Sequence, residues 1–291
     1  MVNPRSRYNA AMRVTVLGAS GLLGQALVQE LKNEQLTALS SKNVDLRDRT
    51  RVQEAIRGSH PACIVLAAAY TDVDGCESDR ERTFAVNCEG AIHVAEAARE
   101  AGSRLIFLST DYVFDGAKGS PYETTDKRNP INVYGESKAR AEERLLDLLP
   151  DVCIVRTSWL FGLGGKCFPA TILKLAAGRP EISVVNDQRG CPTYTTDLAS
   201  ALAQLCRKAV RGIVHATNAG HCTWYDFASA IVRISRMTTT VKPVTTAEFP
   251  RPARRPAYSV LSPASLHAEG IHLPDWQDAL RRYLAAAPTQ P

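Results

Sequence analysis

The sequence predicts an α/β protein: a doubly wound parallel-sheet Rossmann fold with a smaller, mostly helical C-terminal region. Three observations predict it. Short apolar runs alternate with longer amphipathic stretches from Arg13 to about Thr157, the apolar runs are continuous, and a glycine triplet separates the first run from the first amphipathic stretch. Continuous apolar strands joined by helices imply a parallel sheet covered on both faces, with right-handed crossovers.

The elements follow in order. RVTVL (13–17), LTALS (36–40), ACIVLAAA (62–69), RLIFLS (104–109) and VCIVRT (152–157) are expected strands. Between them, LLGQALVQELK (22–32), VQEAIRG (52–58), TFAVNCEGAIHVAEAARE (83–100) and YGESKARAEERLLDLL (134–149) carry helical spacing. After Thr157 the rhythm loosens into Gly/Pro-punctuated segments, with helical patterns at 167–178, 195–209, 223–235 and 275–286. The expected division is a nucleotide-binding domain over 12–160 and a substrate-binding region over 161–287, between which the chain is free to cross back. Residues 1–11 are expected to be a flexible extension. In such a fold ligands lie beyond the carboxyl ends of the strands, so the second region should cap the sheet and select the substrate.

Composition narrows the class. With 291 residues, 45% hydrophobic and 22% charged, the chain is an ordinary globular protein. Eight cysteines without a C-x-x-C pair read as free thiols, which favours a reducing compartment and the cytoplasm. No signal-peptide core is expected, and no run approaches the roughly 20 apolar residues of a membrane span. A net charge of +5 is mild, and its one cluster, Arg251 to Arg255, reads as a solvated loop tied down by Pro252 and Pro256, so no nucleic-acid partner is expected. No acid or Cys/His cluster has ligand spacing, so no metal is expected.

Three motifs carry chemistry. Gly18, Gly21 and Gly24 in VTVLGASGLLG stand directly after a strand and open a helix. Glycine there permits the tight turn, the approach of backbone to a pyrophosphate and close helix packing, while the helix N-terminus offers free N–H groups. After the second strand, where an NAD site usually carries an acid, the chain has Ser40, Ser41 and Lys42. A 2′-phosphate is tolerated there, so NADPH is favoured, with NADH also admitted. Asp45 is either an adenine contact or an early residue of the next helix. Third, Tyr134 and Lys138 lie four apart, on one helix face, so the ammonium is expected to favour the ionised phenol and make Tyr134 a proton donor near neutrality. A hydroxyl at Ser109 or Thr110 should bond a substrate carbonyl oxygen.

These features resemble the extended short-chain dehydrogenase/reductase family. Within it AAAYTDVDGCE, STDYVFDG, NVYGESKARAE, RTSWLFG, VVNDQRGCPTYTTDLA and RPARRPAYSVL resemble the dTDP-4-dehydrorhamnose reductase family over nearly the whole chain. The resemblance implies Thr110, Tyr134 and Lys138 as the catalytic set. It implies cofactor contacts from Gly18, Ser20, Gly21, Leu22, Leu23, Gly24, Ser40, Asp45, Leu46, Ala68, Ala69, Tyr70 and Thr71, together with Tyr134 and Lys138. Substrate contacts would come from Thr71, Val73, Thr110, Asp111, Tyr134 and Trp159, and a homodimer is left open. The implied reaction is reduction of the 4-keto group of a dTDP-sugar by NADPH or NADH. Related dehydratases place an Asp-Glu pair after the Thr; here Asp111-Tyr112 lacks the second acid, which favours simple reduction.

Two rivals remain: another nucleotide-sugar reductase or epimerase of the same fold, and a non-catalytic subunit like the regulatory beta subunit of methionine adenosyltransferase. Asn87 is expected to interrupt or brace its helix. Asp126, Asp187 and Arg189 are expected to shape the pocket, and the six histidines to be structural.

Overall fold

A computed structural model describes residues 11–287, so the extension expected over 1–11 lies outside the described residues except for Ala11. Along the chain run β1 (Arg13–Leu17), α1 (Leu22–Glu30), β2 (Gln35–Leu39), α2 (Arg49–Ser59), β3 (Cys63–Leu66), α3 (Val73–Ser78), α4 (Arg80–Phe84), α5 (Gly90–Ala101), β4 (Arg104–Thr110), α6 (Val133–Leu148), β5 (Cys153–Thr157) and β6 (Leu160–Phe161). There follow α7 (Phe168–Ala177), β7 (Glu181–Val185), β8 (Arg189–Gly190), β9 (Thr193–Tyr194), α8 (Thr195–Lys208), β10 (Gly212–His215), β11 (Cys222–Thr223), α9 (Trp224–Ile234), β12 (Thr240–Val244), α10 (Ala264–Ala268) and α11 (Trp276–Ala286).

Six strands form one sheet in the order β10-β5-β4-β3-β1-β2, and every pairing is parallel. The order reverses between β1 and β3, where open α/β sheets place their ligands. The sequence pattern has a direct cause: β3 is buried at every residue and apolar on both faces, and β5 is equally buried, with Arg156 and Thr157 its polar exceptions. β2 at the edge is only half-buried. One face packs Leu23 and Leu27 of α1 against Leu198, Leu202 and Leu205 of α8. The other packs Val52 and Ile56 of α2, Val94 and Ala98 of α5, and Ala141 and Leu145 of α6. Each fully buried Leu, Ile or Val contributes about 1.5–3 kcal/mol, so these stripes rather than intrinsic propensity hold the helices in place.

The C-terminal region has its own core of Phe161, Ile172, Ile182, Phe227, Trp276 and Tyr283, with short strand pairs β6-β9, β7-β12 and β8-β11 beside its helices. The chain does cross back: α8 returns to the nucleotide-binding core and β10 extends the sheet beyond β5. All eight cysteines are free and buried. Among the described residues, no helix is long and apolar enough to cross a membrane, and no metal-binding group of three or more His, Cys, Asp or Glu is gathered.

Candidate active site

The turn after β1 is built for close backbone approach. Gly18 sits at φ +92°, and a Cβ there would lie 2.6 Å from the Ala68 amide nitrogen after β3, so only glycine fits. α1 begins behind Gly21 with no side-chain cap, which leaves its first N–H groups for a phosphate. Gly24 has another role than contact: a Cβ on it would meet the Gly18 carbonyl oxygen at 2.1 Å, so it lets α1 lie against the turn.

A cleft of about 830 Å³ opens beyond the carboxyl ends of β1 and β3–β5. Its wall brings together Gly18, Ser20, Gly21, Leu22 and Leu23 from the first turn, and Ser40, Asp45 and Leu46 from the loop after β2. Ala68, Ala69, Tyr70, Thr71 and Val73 come from the segment after β3, Thr110 and Asp111 from the end of β4, Tyr134 and Lys138 from α6, and Trp159 from the end of β5. Gly24 is the exception, being packed behind this wall. A dinucleotide fits this wall, since the glycine cradle, the uncapped helix start and the Asp45 loop lie along one edge.

Thr110 Oγ1 donates to Asp111 Oδ1 at 3.0 Å and accepts from the Tyr112 amide at 3.2 Å. Ser259 Oγ donates to Asp111 Oδ2 at 2.5 Å. Ser109, the other hydroxyl that the sequence offered, is committed elsewhere: it donates to Glu142 at 2.5 Å. Burial raises the Asp111 carboxyl from its ordinary range to about 7. It also raises the half-buried Tyr134 phenol, helped by the Asp111 charge, with the neighbouring Thr110 hydroxyl pulling the other way. Lys138 is 1% exposed, its ammonium 4.0 Å from the centre of the Phe107 ring, and burial lowers it to about 7, opposed by Glu142 and Cys88. The lowering of the Tyr134 phenol expected from Lys138 is not found: burial and the Asp111 charge raise it, and Lys138 is not among the groups that shift it.

The helix carrying this pair is fixed from several sides. Asn132 caps α6 by accepting from the Gly135 amide at 2.8 Å. A π-helical turn over Ala85–Glu89 pushes Asn87 inward. Asn87 accepts from the Tyr70 amide at 2.7 Å and donates to the Tyr70 carbonyl and Ser137 Oγ, each at 3.1 Å. Asn87 thus braces the loop after β3 against α6.

Sequence reasoning missed four features. Glu142, fully buried one turn after Lys138, accepts both Nε and Nη2 of Arg156 on β5 at 2.9 and 2.6 Å. Trp224 lines the cleft and stacks on Trp159, with ring centres 3.5 Å apart and planes 8° apart. Trp159 itself is held at φ +46°, a conformation that costs a non-glycine residue roughly 1–3 kcal/mol. Thr157 Oγ1, on the cleft wall, has no hydrogen-bond partner among the described residues. The sole sequence signal among these was Arg156 inside an apolar strand, which requires a buried partner.

The arginine-rich loop is not merely solvated. Arg251 and Arg255 both bond Asp74 of α3, the Arg251 contact including Nε to Oδ2 at 2.8 Å. This ion pairing, beyond the prolines, seats the loop beside the cleft. Asp126 bonds Lys118, Asp187 holds Thr246, and Arg189 faces His221. None of the three lines the cleft, so their expected pocket-shaping role is at most indirect. His215 is buried against Arg156, which together with burial holds it neutral, lowered to about 3.

The fold and the cleft define a dinucleotide-binding α/β protein with Thr110, Tyr134 and Lys138 gathered at the sheet's carboxyl edge. Residues 12–288 match the family described as RmlD substrate binding domain, and the chain belongs to that family. It is 40% identical over 274 residues to the spore coat polysaccharide biosynthesis protein SpsK of Bacillus subtilis, covering 94% of this chain and 96% of that one. It is 41% identical over 284 residues to a dTDP-4-dehydrorhamnose reductase of Mycobacterium tuberculosis, covering 94% and 93%. The crystal structure of a dTDP-4-dehydrorhamnose reductase from Bacillus anthracis in complex with NADP superposes with a TM-score of 0.93 at 37% identity, covering 95% of this chain and all of that one.

Proposed function

We infer that the chain is an NADPH-dependent dTDP-4-dehydrorhamnose reductase, reducing the 4-keto group of dTDP-6-deoxy-L-lyxo-4-hexulose to give dTDP-L-rhamnose. The observation that carries this reading is the convergence of Thr110, Tyr134 and Lys138 with the glycine turn on one cleft, in a chain that matches a relative of that name over 94% of its own length and 93% of the relative's.

The reduced nicotinamide supplies the hydride. Gly18 to Leu23 would hold its diphosphate, and Asp45 and Leu46 would hold its adenosine end. Tyr134 donates a hydrogen bond to the carbonyl oxygen and passes it the proton as negative charge develops, and Thr110 donates a second once its hydroxyl turns from Asp111 Oδ1 to the substrate. Lys138 and the Ala68–Thr71 segment would hold the nicotinamide end. Thr71, Val73, Asp111 and Trp159 shape the sugar pocket. Tyr112 meets Tyr134 edge-on at 6.1 Å where a dehydratase would need an acid. The free, buried thiols support a reducing, cytoplasmic setting.

The test is loss of NADPH absorbance with the 4-keto sugar nucleotide, comparing wild type with Tyr134→Phe. Turnover by the wild type, reduced roughly 10²–10⁴-fold in the variant with NADPH binding kept, is expected. Binding of NADPH without turnover by either protein would move the reading to another keto sugar or to a non-catalytic subunit.

A further inference from the structure

Tyr134, Lys138 and Glu142 follow one another at four-residue spacing, so one face of α6 carries all three. Tyr134 and Lys138 line the cleft, and Glu142 lies one turn behind them, fully buried. Glu142 joins three elements there. Its Oε1 accepts from Ser109 Oγ of β4 at 2.5 Å and from Arg156 Nε of β5 at 2.9 Å. Its Oε2 accepts from Arg156 Nη2 at 2.6 Å and from Arg128 Nη1, in the segment before α6, at 3.2 Å. Four donors thus fix the carboxylate in place.

Lys138 is held differently. Its ammonium lies 4.0 Å from the centre of the Phe107 ring of β4, and among the described residues no acid pairs with it directly. The groups around it are few. Cys88 of the π-helical turn is a thiol pushed up to about 11 by burial, and so is neutral. Asp111 at the end of β4 is taken by Thr110 and Ser259, and the Tyr134 phenol is raised above its ordinary range. Arg156 and Arg128 donate to Glu142. Burial works against the ammonium, opposed by Glu142 and Cys88, and of these two the carboxylate is the charged one.

Resting on the placing of Lys138 at the nicotinamide end, we propose that Glu142 is a positioning residue that acts through Lys138. Its carboxylate keeps the buried ammonium charged, while Ser109, Arg156 and Arg128 keep the carboxylate where it can do so. A lysine buried over an aromatic ring without this partner gives up its proton more readily, and a neutral amine holds an anionic dinucleotide less well.

The experiment is a titration of NADPH fluorescence from pH 5 to pH 9, without sugar nucleotide, for wild type, Glu142→Gln and Glu142→Gln with Arg156→Met. The double variant strands no guanidinium, so its urea midpoint separates charge from folding. Arg156 is not among the groups that shift Lys138, so its removal leaves the comparison intact. The wild-type Kd should rise as pH climbs through about 7, where Lys138 gives up its proton. In both variants the rise should come about one pH unit or more earlier, as expected when an opposite charge one helical turn away is removed. At pH 9, with Lys138 neutral in all three proteins, the Kd values should agree within about twofold. The ratio to wild type cancels every titration the proteins share, that of the NADPH 2′-phosphate included. A rise at the wild-type pH in the double variant, or weakening by one factor at every pH, would overturn the proposal and leave Lys138 at the nicotinamide end. No rise in the wild type would overturn that placing, and the proposal with it.

Discussion

Glutamine in place of Glu142 keeps the shape of the side chain and removes its charge. The carboxylate accepts from Ser109 Oγ and Arg156 Nε on one oxygen, and from Arg156 Nη2 and Arg128 Nη1 on the other. A glutamine that keeps the first pair turns its NH₂ group onto the second, donor against donor. Arg156 is 1% exposed, and its remaining contacts, the Thr124 carbonyl and His215, bring no negative charge. Stranding a buried charge in this way costs ~3–5 kcal/mol, a large share of the ~5–15 kcal/mol that holds a typical protein folded. Urea unfolding should show a lower midpoint with the slope preserved. Glu142→Gln with Arg156→Met should recover much of the loss, because no uncompensated charge remains. A loss below ~1 kcal/mol in the single variant, the range of a solvated surface pair, would refute the reasoning that this network is dry.

Asp111 is raised to about 7 by burial, so between about pH 4 and 7 the folded protein holds a proton that the unfolded chain has released. Its stabilisation is full below that window and lost as pH rises through 7; the Tm of Asp111→Asn should therefore rise relative to wild type from pH 5 to pH 8, and parallel pH profiles would sink the assignment. Trp159→Ala removes one indole of the stack, worth ~0.5–1.5 kcal/mol, so the KM for the sugar nucleotide should rise roughly three- to tenfold while the Kd for NADPH holds. Gly24→Ala forces a Cβ to within 2.1 Å of the Gly18 carbonyl; it should cost ~1–3 kcal/mol and weaken NADPH binding, which thermal melts and a fluorescence titration would read together.

Much of the nucleotide-binding half was legible because its rules are local. Burial on both faces of a strand forces an unbroken apolar run, as at Cys63–Leu66, and close backbone approach forces glycine, as at Gly18. The Tyr134 and Lys138 pair was legible for the same reason, since four residues make one helical turn. The charge behaviour of that pair was not, because it depends on how deeply the helix is buried. Contacts between distant segments were equally silent. Glu142 reads as an exposed residue in KARAEERLLD until β4 and β5 are laid beside it. Asp74 gives no sign that residues 251–255 will fold onto it, 177 or more positions later. The return of α8 and β10 to the first core was hidden because an amphipathic helix does not state which sheet it covers.

The junction at Trp159 ties the parallel sheet to the C-terminal core. β5 leaves the sheet beside Thr157, and within four residues Phe161 belongs to the C-terminal core. Trp159 makes that turn at φ +46°, a conformation disfavoured for a bulky side chain. The indole is held by its surroundings: Trp224 stacks on it, and Gly190 lies so near that a Cβ there would be 2.5 Å from the ring. Trp224 opens α9 behind Thr223, whose capping box with Asp226 fixes the helix start. The cleft wall at Trp159 is thereby set by elements of the C-terminal core, whereas Thr110 and Tyr134 are set by the sheet and α6. A change in α9 or β8 should shift sugar recognition through Trp159 without disturbing proton transfer, and a change at Glu142 should do the reverse.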